Sequence, residues 1–172
     1  MSRIILLSLS FSLAACVAGS VDEEPSERAA EGLTPGTFYV LEAKHSGKAL
    51  DVSAASNANG ANVQQWSKNG TAAQQWRFEP TGDGYYVVRA RCSDKALDVQ
   101  DKATNEGANV QQWGYGGGWN QQWRLEDAGG GYYHLRARHS GRYLDVAWGS
   151  HNDGANVAQV NFYGSDAQKW RL

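Results

Sequence analysis

The sequence has little of what disulfide-rich, nucleic-acid-binding or membrane-spanning proteins depend on. Only two of its 172 residues are cysteine, Cys16 and Cys92. Because Cys16 falls in a predicted targeting segment, a disulfide framework is excluded for the mature chain. Lysine and arginine together number 16 against 18 acidic residues, without the basic excess of a nucleic-acid-binding protein. No apolar run reaches the roughly 18 residues that a membrane-spanning helix needs.

The first 20 residues have the pattern of a secretory signal. Arg3 precedes a largely apolar stretch, residues 4–15, which is too short to span a bilayer. The stretch ends in Leu-Ala-Ala before Cys16 and resembles the bacterial lipobox, which implies cleavage before Cys16 and a lipid on its sulfur. The alternative is ordinary cleavage nearby, with Cys16 incidental. We predict a signal peptide over 1–15 and an extracytoplasmic lipoprotein held in the bacterial cell envelope, at the outer membrane or cell surface.

Residues 16–36 are predicted to form a flexible acidic tether. They contain few large apolar side chains but include Pro25, Pro35 and Gly36, so they bury too little surface to offset the entropy lost on ordering. The remaining domain, 37–172, is close to neutral. It therefore has no long-range field to steer a charged partner.

The rest of the chain repeats itself with a period of 47 residues. The aligned segments, which contain no gap, are 38–78, 85–125 and 132–172. Short alternating apolar runs separated by glycine-containing turns indicate four strands in each repeat, and in the first repeat the runs include 38–41, 49–52, 63–66 and 76–78. A propeller needs at least about four blades, so three such units predict an all-β fold, a β-trefoil with pseudo-threefold symmetry.

Side-chain alternation separates the core from a second surface. Asp51 lies between two apolar residues that face inward, so its carboxylate faces the other way. Gln64 and Trp66 share the face opposite Val63. If these two strands pair across the loop 53–62, Asp51, Gln64 and Trp66 gather on one exposed surface.

Two classes of tryptophan follow from the comparison of the repeats. One late tryptophan per repeat is predicted to lie in the core: Trp76, Trp123 and Trp170. Trp66 and Trp113 differ, because the third repeat has Val160 there and Ala158 in place of the neighbouring glutamine. A core position would keep its volume in each copy. The joint loss indicates a ligand site that is present in two repeats and degraded in the third, the alternative being rings that merely cover the surface.

The residues of this predicted site suit a sugar better than a reaction. A carboxylate accepts strong hydrogen bonds from adjacent hydroxyls, an amide offers both a donor and an acceptor, and an indole face stacks on the C–H groups of a pyranose ring.

Each repeat also ends in a Gln-x-Trp sequence that follows a Leu-Asp-Val sequence. The three copies are Gln74-Gln75-Trp76, Gln121-Gln122-Trp123 and Gln168-Lys169-Trp170. These sequences resemble the signatures of ricin B-chain-like lectin domains, over residues 38–172. The resemblance implies a β-trefoil carbohydrate-binding module, here without the disulfides common in that family. We expect a monomer that binds glycans or polysaccharides, uses no cofactor or metal, and is not an enzyme.

The resemblance implies site residues as well. The middle repeat matches the family pattern throughout, with Asp98, Gln111, Trp113, Asn120 and Gln121. The first repeat matches with Asp51, Gln64, Trp66 and Gln74, but has Ala73 where the asparagine would be. The third keeps Asp145 and Gln168 but has Ala158, Val160 and Ala167. The persistence of Asp145 in this poor site leaves open a structural role, in which the carboxylate bonds backbone N–H groups of its own turn.

No catalytic arrangement is predicted. The recurring aspartates belong to different repeats and so to separate lobes, whereas paired carboxylates act at a separation of about 5–10 Å. His45, Cys92 and His139 occupy one slot of the repeat, again on separate lobes, while His134 and His151 are isolated. Neither a Cys–His pair nor a metal cluster is therefore implied.

The second function class is a protein-binding β-trefoil, an inhibitor or an adhesion scaffold. Trp119 and Trp148 are candidate exposed anchors for a protein partner. The recurrence of aspartate, glutamine and tryptophan in two repeats favours sugar, whereas one contiguous apolar patch would favour protein.

Overall fold

A computed structural model of the protein describes residues 33–172, in which twelve β-strands are joined by turns and six short 3₁₀ segments. The strands of the first repeat are β1 (Glu42–Ala43), β2 (Ala49–Val52), β3 (Val63–Trp66) and β4 (Trp76–Pro80). Those of the second are β5 (Tyr86–Ala90), β6 (Ala96–Val99), β7 (Ala108–Trp113) and β8 (Trp123–Gly129). Those of the third are β9 (Tyr132–Ala137), β10 (Tyr143–Val146), β11 (Val157–Val160) and β12 (Trp170–Arg171). The predicted signal peptide, Cys16 and most of the tether lie outside the described residues.

Six strands close into a barrel and six form a cap. In the barrel, β1 pairs with β12, β4 with β5 and β8 with β9, all antiparallel. The ring is completed by β5 with β8, β9 with β12, and a bridge between Tyr39 and Trp76. The cap consists of the hairpins β2–β3, β6–β7 and β10–β11, which also pair with one another. This arrangement confirms the predicted β-trefoil.

The first strand is shorter than its sequence predicts. The apolar alternation over 38–41 continues as a strand only at Glu42–Ala43, and Tyr39 contributes a single bridge. The corresponding strands of the other repeats, Tyr86–Ala90 and Tyr132–Ala137, are longer because each follows its partner directly through a hairpin turn. In the first repeat the partner is β12, at the other end of the chain, so no turn sets the register.

The late tryptophans join the barrel to the cap. Trp76, Trp123 and Trp170 are at most 1% exposed, which confirms their predicted place in the core. Each indole N–H donates to the carbonyl oxygen of the leucine in the Leu-Asp-Val strand of its own repeat, at 3.0, 2.9 and 3.2 Å. A buried indole thus fills volume and satisfies its only polar atom at once.

Three asparagines close a ring where the hairpins of the cap meet. The side-chain Nδ2 of Asn62 donates to Oδ1 of Asn156, that of Asn156 to Asn109, and that of Asn109 to Asn62, at 2.9, 3.0 and 3.1 Å. Each amide gives one hydrogen bond and receives one. The ring therefore fixes the three hairpins relative to one another.

Candidate functional site

The second repeat holds the most complete cluster of predicted site residues. Asp98 lies at the base of a cavity of about 380 Å³. Gln111 Nε2 donates to its Oδ1 at 3.0 Å, and Asn120 Nδ2 donates to its Oδ2 at 2.8 Å. Trp113 lines the same cavity with 44% of its surface exposed. Because each carboxylate oxygen accepts one amide N–H, each keeps lone-pair capacity for a further donor.

The local strand pairing explains this cluster. Asp98 is directly opposite Gln111 in the β6–β7 hairpin, as Asp51 is opposite Gln64 in β2–β3, so the predicted pairing of these strands is confirmed. The predicted exposed surface is correct only for the indoles. Asp98 and Gln111 are buried at the floor of the cavity. Burial raises the pKa of the Asp98 carboxyl, and the hydrogen bonds from Gln111 and Asn120 act in the opposite direction.

Gly118 makes room for Asn120. A Cβ at position 118 would lie 2.5 Å from Asn120 Oδ1, although the backbone, with φ of −70°, suits any residue. The corresponding Thr71 and Ser165 have nearly the same backbone angles. Their repeats have alanine in place of the asparagine. An asparagine at the position of Asn120 therefore requires glycine two residues earlier, because any side chain there would clash with its amide.

The glutamines of the Gln-x-Trp sequences brace the loop beside each site. Gly116 N donates to Oε1 of Gln121 at 2.8 Å, and Gln121 Nε2 donates to Gly114 O at 3.0 Å. The side chains of Gln74 and Gln168 make corresponding bonds to the backbones of their own loops. The structure therefore places these three predicted residues next to the sites, with their amides bonded to loop backbone, and the amides of Gln74 and Gln121 also partly offset the rise that burial causes in the pKa of Asp51 and Asp98.

The first repeat has the same site with one partner fewer. Gln64 Nε2 donates to Asp51 Oδ1 at 3.0 Å, and Trp66 is 39% exposed. Ala73 replaces the asparagine, so the amide that reaches the second carboxylate oxygen in the other site is missing. Burial raises the pKa of Asp51, opposed by the Gln64 hydrogen bond.

Each site is walled by a loop of the preceding repeat, which the sequence reasoning missed. Gly60 of the first repeat, at φ of +80°, donates its N–H to Gln112 O at 2.9 Å. A Cβ on it would lie 3.6 Å from the ring of Trp113. Gly154 of the third repeat lies in the same way against Trp66. In the sequence these loops are marked only by a glycine that recurs in each repeat. Such a glycine indicates a turn between strands and does not show which other repeat the turn contacts.

The third repeat contains a different cavity, of about 970 Å³. Asp145 lies in it, 8% exposed and opposite Ala158. Among residues 33–172 no side chain or backbone N–H donates to this carboxylate, so the alternative of a structural role within its own turn is wrong. Burial, with the charge of Glu106, raises the pKa of Asp145 from 3.8 to about 6. Trp148 lines the same cavity and is fully exposed.

The histidines are placed partly as predicted. His45 and His139 lie on separate lobes, each with Nε2 at 2.9 Å from a backbone carbonyl, and Cys92 is a free thiol. His134 and His151 are not isolated. His151 meets the ring of His45 edge to face at 5.1 Å, and His134 is buried with Nδ1 at 2.9 Å from a carbonyl. Within the described residues no three potential metal ligands come together, and no helix has the length and apolarity to cross a membrane.

Comparison with known families decides the assignment. The model of the family described as "Ricin-type beta-trefoil lectin domain-like" matches residues 30–113 and 119–172. The chain belongs to this lectin-like family. The match covers all three repeats except residues 114–118 of the second, and the fold and the three Gln-x-Trp sequences agree with it. No curated protein matches the chain.

Solved structures similar to this lectin-like chain include designed and natural proteins. The designed threefold-symmetric protein ThreeFoil is 58% identical, with a TM-score of 0.78, over 78% of this chain and 96% of its own. An exo-β-1,3-galactanase from Clostridium thermocellum is 38% identical, with a TM-score of 0.79, over 81% of this chain but only 30% of its own. A ricin B-like lectin from Macrolepiota procera, in complex with lactose, is 18% identical with a TM-score of 0.70, over 81% and 96%, and shows the shared fold.

Proposed function

We propose that this lectin-like domain binds carbohydrate without catalysis, at sites in its first and second repeats. The observation that carries the proposal is the Asp98 carboxylate, with each oxygen accepting one amide N–H, in a cavity also lined by the exposed ring of Trp113. Adjacent sugar hydroxyls can donate to the lone pairs that remain, and charge strengthens those bonds. The C–H face of the sugar can then stack on the indole.

The distribution of exposed rings supports sugar over the protein-binding alternative. In the described residues the large exposed aromatics fall in each repeat in turn: Trp66, then Trp113, Tyr115 and Trp119, then Trp148, Phe162 and Tyr163. Repetition of small aromatic sites suits repeated saccharide units, whereas a protein interface uses one central cluster. Two sites on one domain can also engage one polysaccharide together, which raises avidity when each site is weak.

Binding in the second repeat is expected to depend on Asp98 and Trp113. Asp98→Ala removes the charged acceptor of the sugar hydroxyls, and the loss of one such bond costs about 1.5–3 kcal/mol, so affinity at this site should fall by at least about tenfold to a hundredfold. Trp113→Ala, at an exposed position, should weaken binding while leaving the fold intact. The measurement is calorimetric titration with a saccharide selected from a glycan panel. Asp127→Ala, on the β8–β9 hairpin, is the matched control. Unchanged affinity in a folded Trp66→Ala, Trp113→Ala double variant would contradict the proposal.

The missing amide of the first site can be restored. Thr71→Gly with Ala73→Asn should place an asparagine amide on the free carboxylate oxygen of Asp51, as Gly118 and Asn120 do for Asp98. We expect affinity at the first site to rise a few-fold, since the added amide holds the Asp51 carboxylate in the orientation that Asp98 has and so pre-organises it for sugar hydroxyls. The titration is done in the Trp113→Ala background, which isolates this site. Ala73→Asn alone is the control and should gain nothing, because Thr71 occupies the space.

We also propose that the mature protein is a lipoprotein anchored through Cys16 in the bacterial cell envelope. Support comes from the sequence alone, in the apolar segment 4–15 that ends at Cys16. In a bacterial host, mass spectrometry should find cleavage before Cys16 and acyl chains on the new terminus. Cys16→Ser should lose the added mass and leave the membrane fraction. A mature chain that begins elsewhere, with an unmodified thiol, would rule the anchor out.

A further inference from the structure

The cavity of the third repeat is larger than that of the second and is built from other side chains. Its volume is about 970 Å³ against about 380 Å³. Small apolar residues replace the glutamine, tryptophan and asparagine of the second site: Ala158, Val160 and Ala167. The third cavity therefore has more room than the second and lacks the amides that prepare Asp98 for neutral hydroxyls.

Asp145 is a buried carboxylate that the described residues leave without a donor. It is more than nine-tenths buried and lines the cavity. Burying such a group is costly unless donors or a positive charge compensate it. Its counterpart Asp98 already accepts two amide hydrogen bonds. A ligand that supplies a charged donor thus gains more at Asp145 than at Asp98.

A second acid adds to the negative potential of this cavity. Glu106, on the loop of the second repeat, accepts hydrogen bonds from the neutral groups Tyr163 Oη at 2.5 Å and Asn161 Nδ2 at 2.8 Å. Its charge acts on Asp145 and disfavours ionisation there. A cation bound between the two carboxylates would offset the repulsion between their negative charges.

The positive charges nearby are committed to other partners. Asp166 also lines the cavity, but Lys44 and Lys169 reach its Oδ1 at 3.1 and 2.8 Å. Arg142 directs its Nε to Thr104 O at 2.8 Å. Among the described residues that line the third cavity none is lysine or arginine, whereas Lys102 lines the second.

The exposed ring of Trp148 lies at the rim of the third cavity and is not packed into the core. Trp148 is fully exposed, and its φ of +61° lies in the left-handed region, which costs an L-residue about 1–2 kcal/mol. It occupies the position of Asp101, which lines the second cavity. His45 and His151 lie at the same rim, edge to face. An exposed indole face attracts cations and stacks on sugars.

We propose that the third cavity binds the ammonium group of an amino sugar with a free amine, with Asp145 as counter-ion and Trp148 as the ring that covers it. The inference rests on the proposed function, because it takes the ligand to be a saccharide. The inference differs from the proposed function in the sugar group that is recognised, since the first two sites are suited to hydroxyls and the third to a charged amine. The third repeat is on this account a rebuilt site rather than a degraded one.

The test compares two oligosaccharides that differ only in the amine. The full chain is titrated at pH 7 with a chitosan oligomer and with its fully N-acetylated counterpart, with calorimetry for affinity and the indole N–H resonances for location. We expect the chitosan oligomer to bind about tenfold more tightly and to shift the Trp148 resonance. Asp145→Asn should abolish the preference, and Trp148→Ala, at an exposed position, should reduce it several-fold. Asp127→Asn, on the β8–β9 hairpin, is the matched control and should keep it.

The outcomes separate the two proposals. If a neutral saccharide binds through Asp98 and Trp113 but the amine gives no advantage, or if Asp145→Asn keeps the advantage, the assignment of the third cavity is overturned and the proposed function stands. If no saccharide of either kind binds the folded chain, both proposals fail. A preference for the amine that disappears in Asp98→Asn but persists in Asp145→Asn would also overturn the assignment, since it would place the amine in the second site.

Discussion

Replacing Trp123 with alanine is expected to lower the free energy of unfolding by about 3–5 kcal/mol, the range measured for large aromatic residues in cores. The side chain is 1% exposed, and its indole N–H donates to Leu97 O at 2.9 Å. The substitution therefore leaves a cavity between barrel and cap and removes the bond that joins them. Domains of this size have a free energy of unfolding of about 5–15 kcal/mol, so the substitution would remove a large part of the stability. Urea denaturation followed by tryptophan fluorescence and circular dichroism provides the measurement.

The same substitution at an exposed tryptophan is the control. Trp113→Ala should change stability by less than about 1 kcal/mol, because the ring is 44% exposed and lies over a cavity. Trp123→Phe should fall between the two, since it keeps most of the ring volume but loses the N–H. Equal losses at Trp113 and Trp123 would show that the distinction between core and site tryptophans is wrong.

Asp145→Asn is expected to stabilise the protein by about 2–3 kcal/mol at pH 7. The carboxyl has a pKa of about 6 in the fold against 3.8 in an unfolded chain. The folded state therefore holds the proton more tightly, and stability falls as the pH rises from about 4 to about 6. Below that window the acid is neutral in both states and the pH-dependent contribution vanishes, and above the window the full cost of the charge is present. The difference between a pKa of 3.8 and one of about 6 corresponds to about 3 kcal/mol.

The measurement is the unfolding free energy of both proteins from pH 3.5 to 7.5. The native protein should lose stability across the window, and Asp145→Asn should lose less by the amount that Asp145 contributes. Asp98→Asn is the contrasting variant. It should destabilise at pH 7, because the Asp98 carboxylate accepts amide hydrogen bonds from Gln111 and Asn120 that an asparagine cannot both receive. A flat difference between native and Asp145→Asn proteins would contradict the assigned pKa.

Most of the fold could be predicted from the sequence because each position of the repeat occurs three times, so that the three residues found there can be compared. Leu50 and Val52 reappear at every 47-residue step, so alternation identified the inward face without ambiguity. The first strand was missed in part, since its partner β12 is remote in the chain and alternation alone does not set where pairing begins.

The candidate sites were predictable within a hairpin but not between repeats. The opposition of Asp98 and Gln111 follows from strand pairing, which the sequence pattern reveals. Contacts such as Gly60 against Trp113 depend on how the lobes meet, and no local pattern encodes that. The third cavity is a related case. Comparison with the other repeats shows which side chains are missing at Val160 and Ala158, but it does not show that Trp148 lines the cavity from a position where the other repeats have no ring.

The wall that each repeat lends to the next has an evolutionary consequence. The loop of the first repeat closes the second cavity, that of the second closes the third, and that of the third closes the first. A gene encoding a single 47-residue unit would thus specify only part of a binding cavity. Selection for a bound ligand can act only on the closed ring, whether three separate chains or one chain formed by triplication. In an ancestor built from separate copies, a complete cavity would exist only after trimeric assembly, and fusion of the copies would let each cavity diverge on its own.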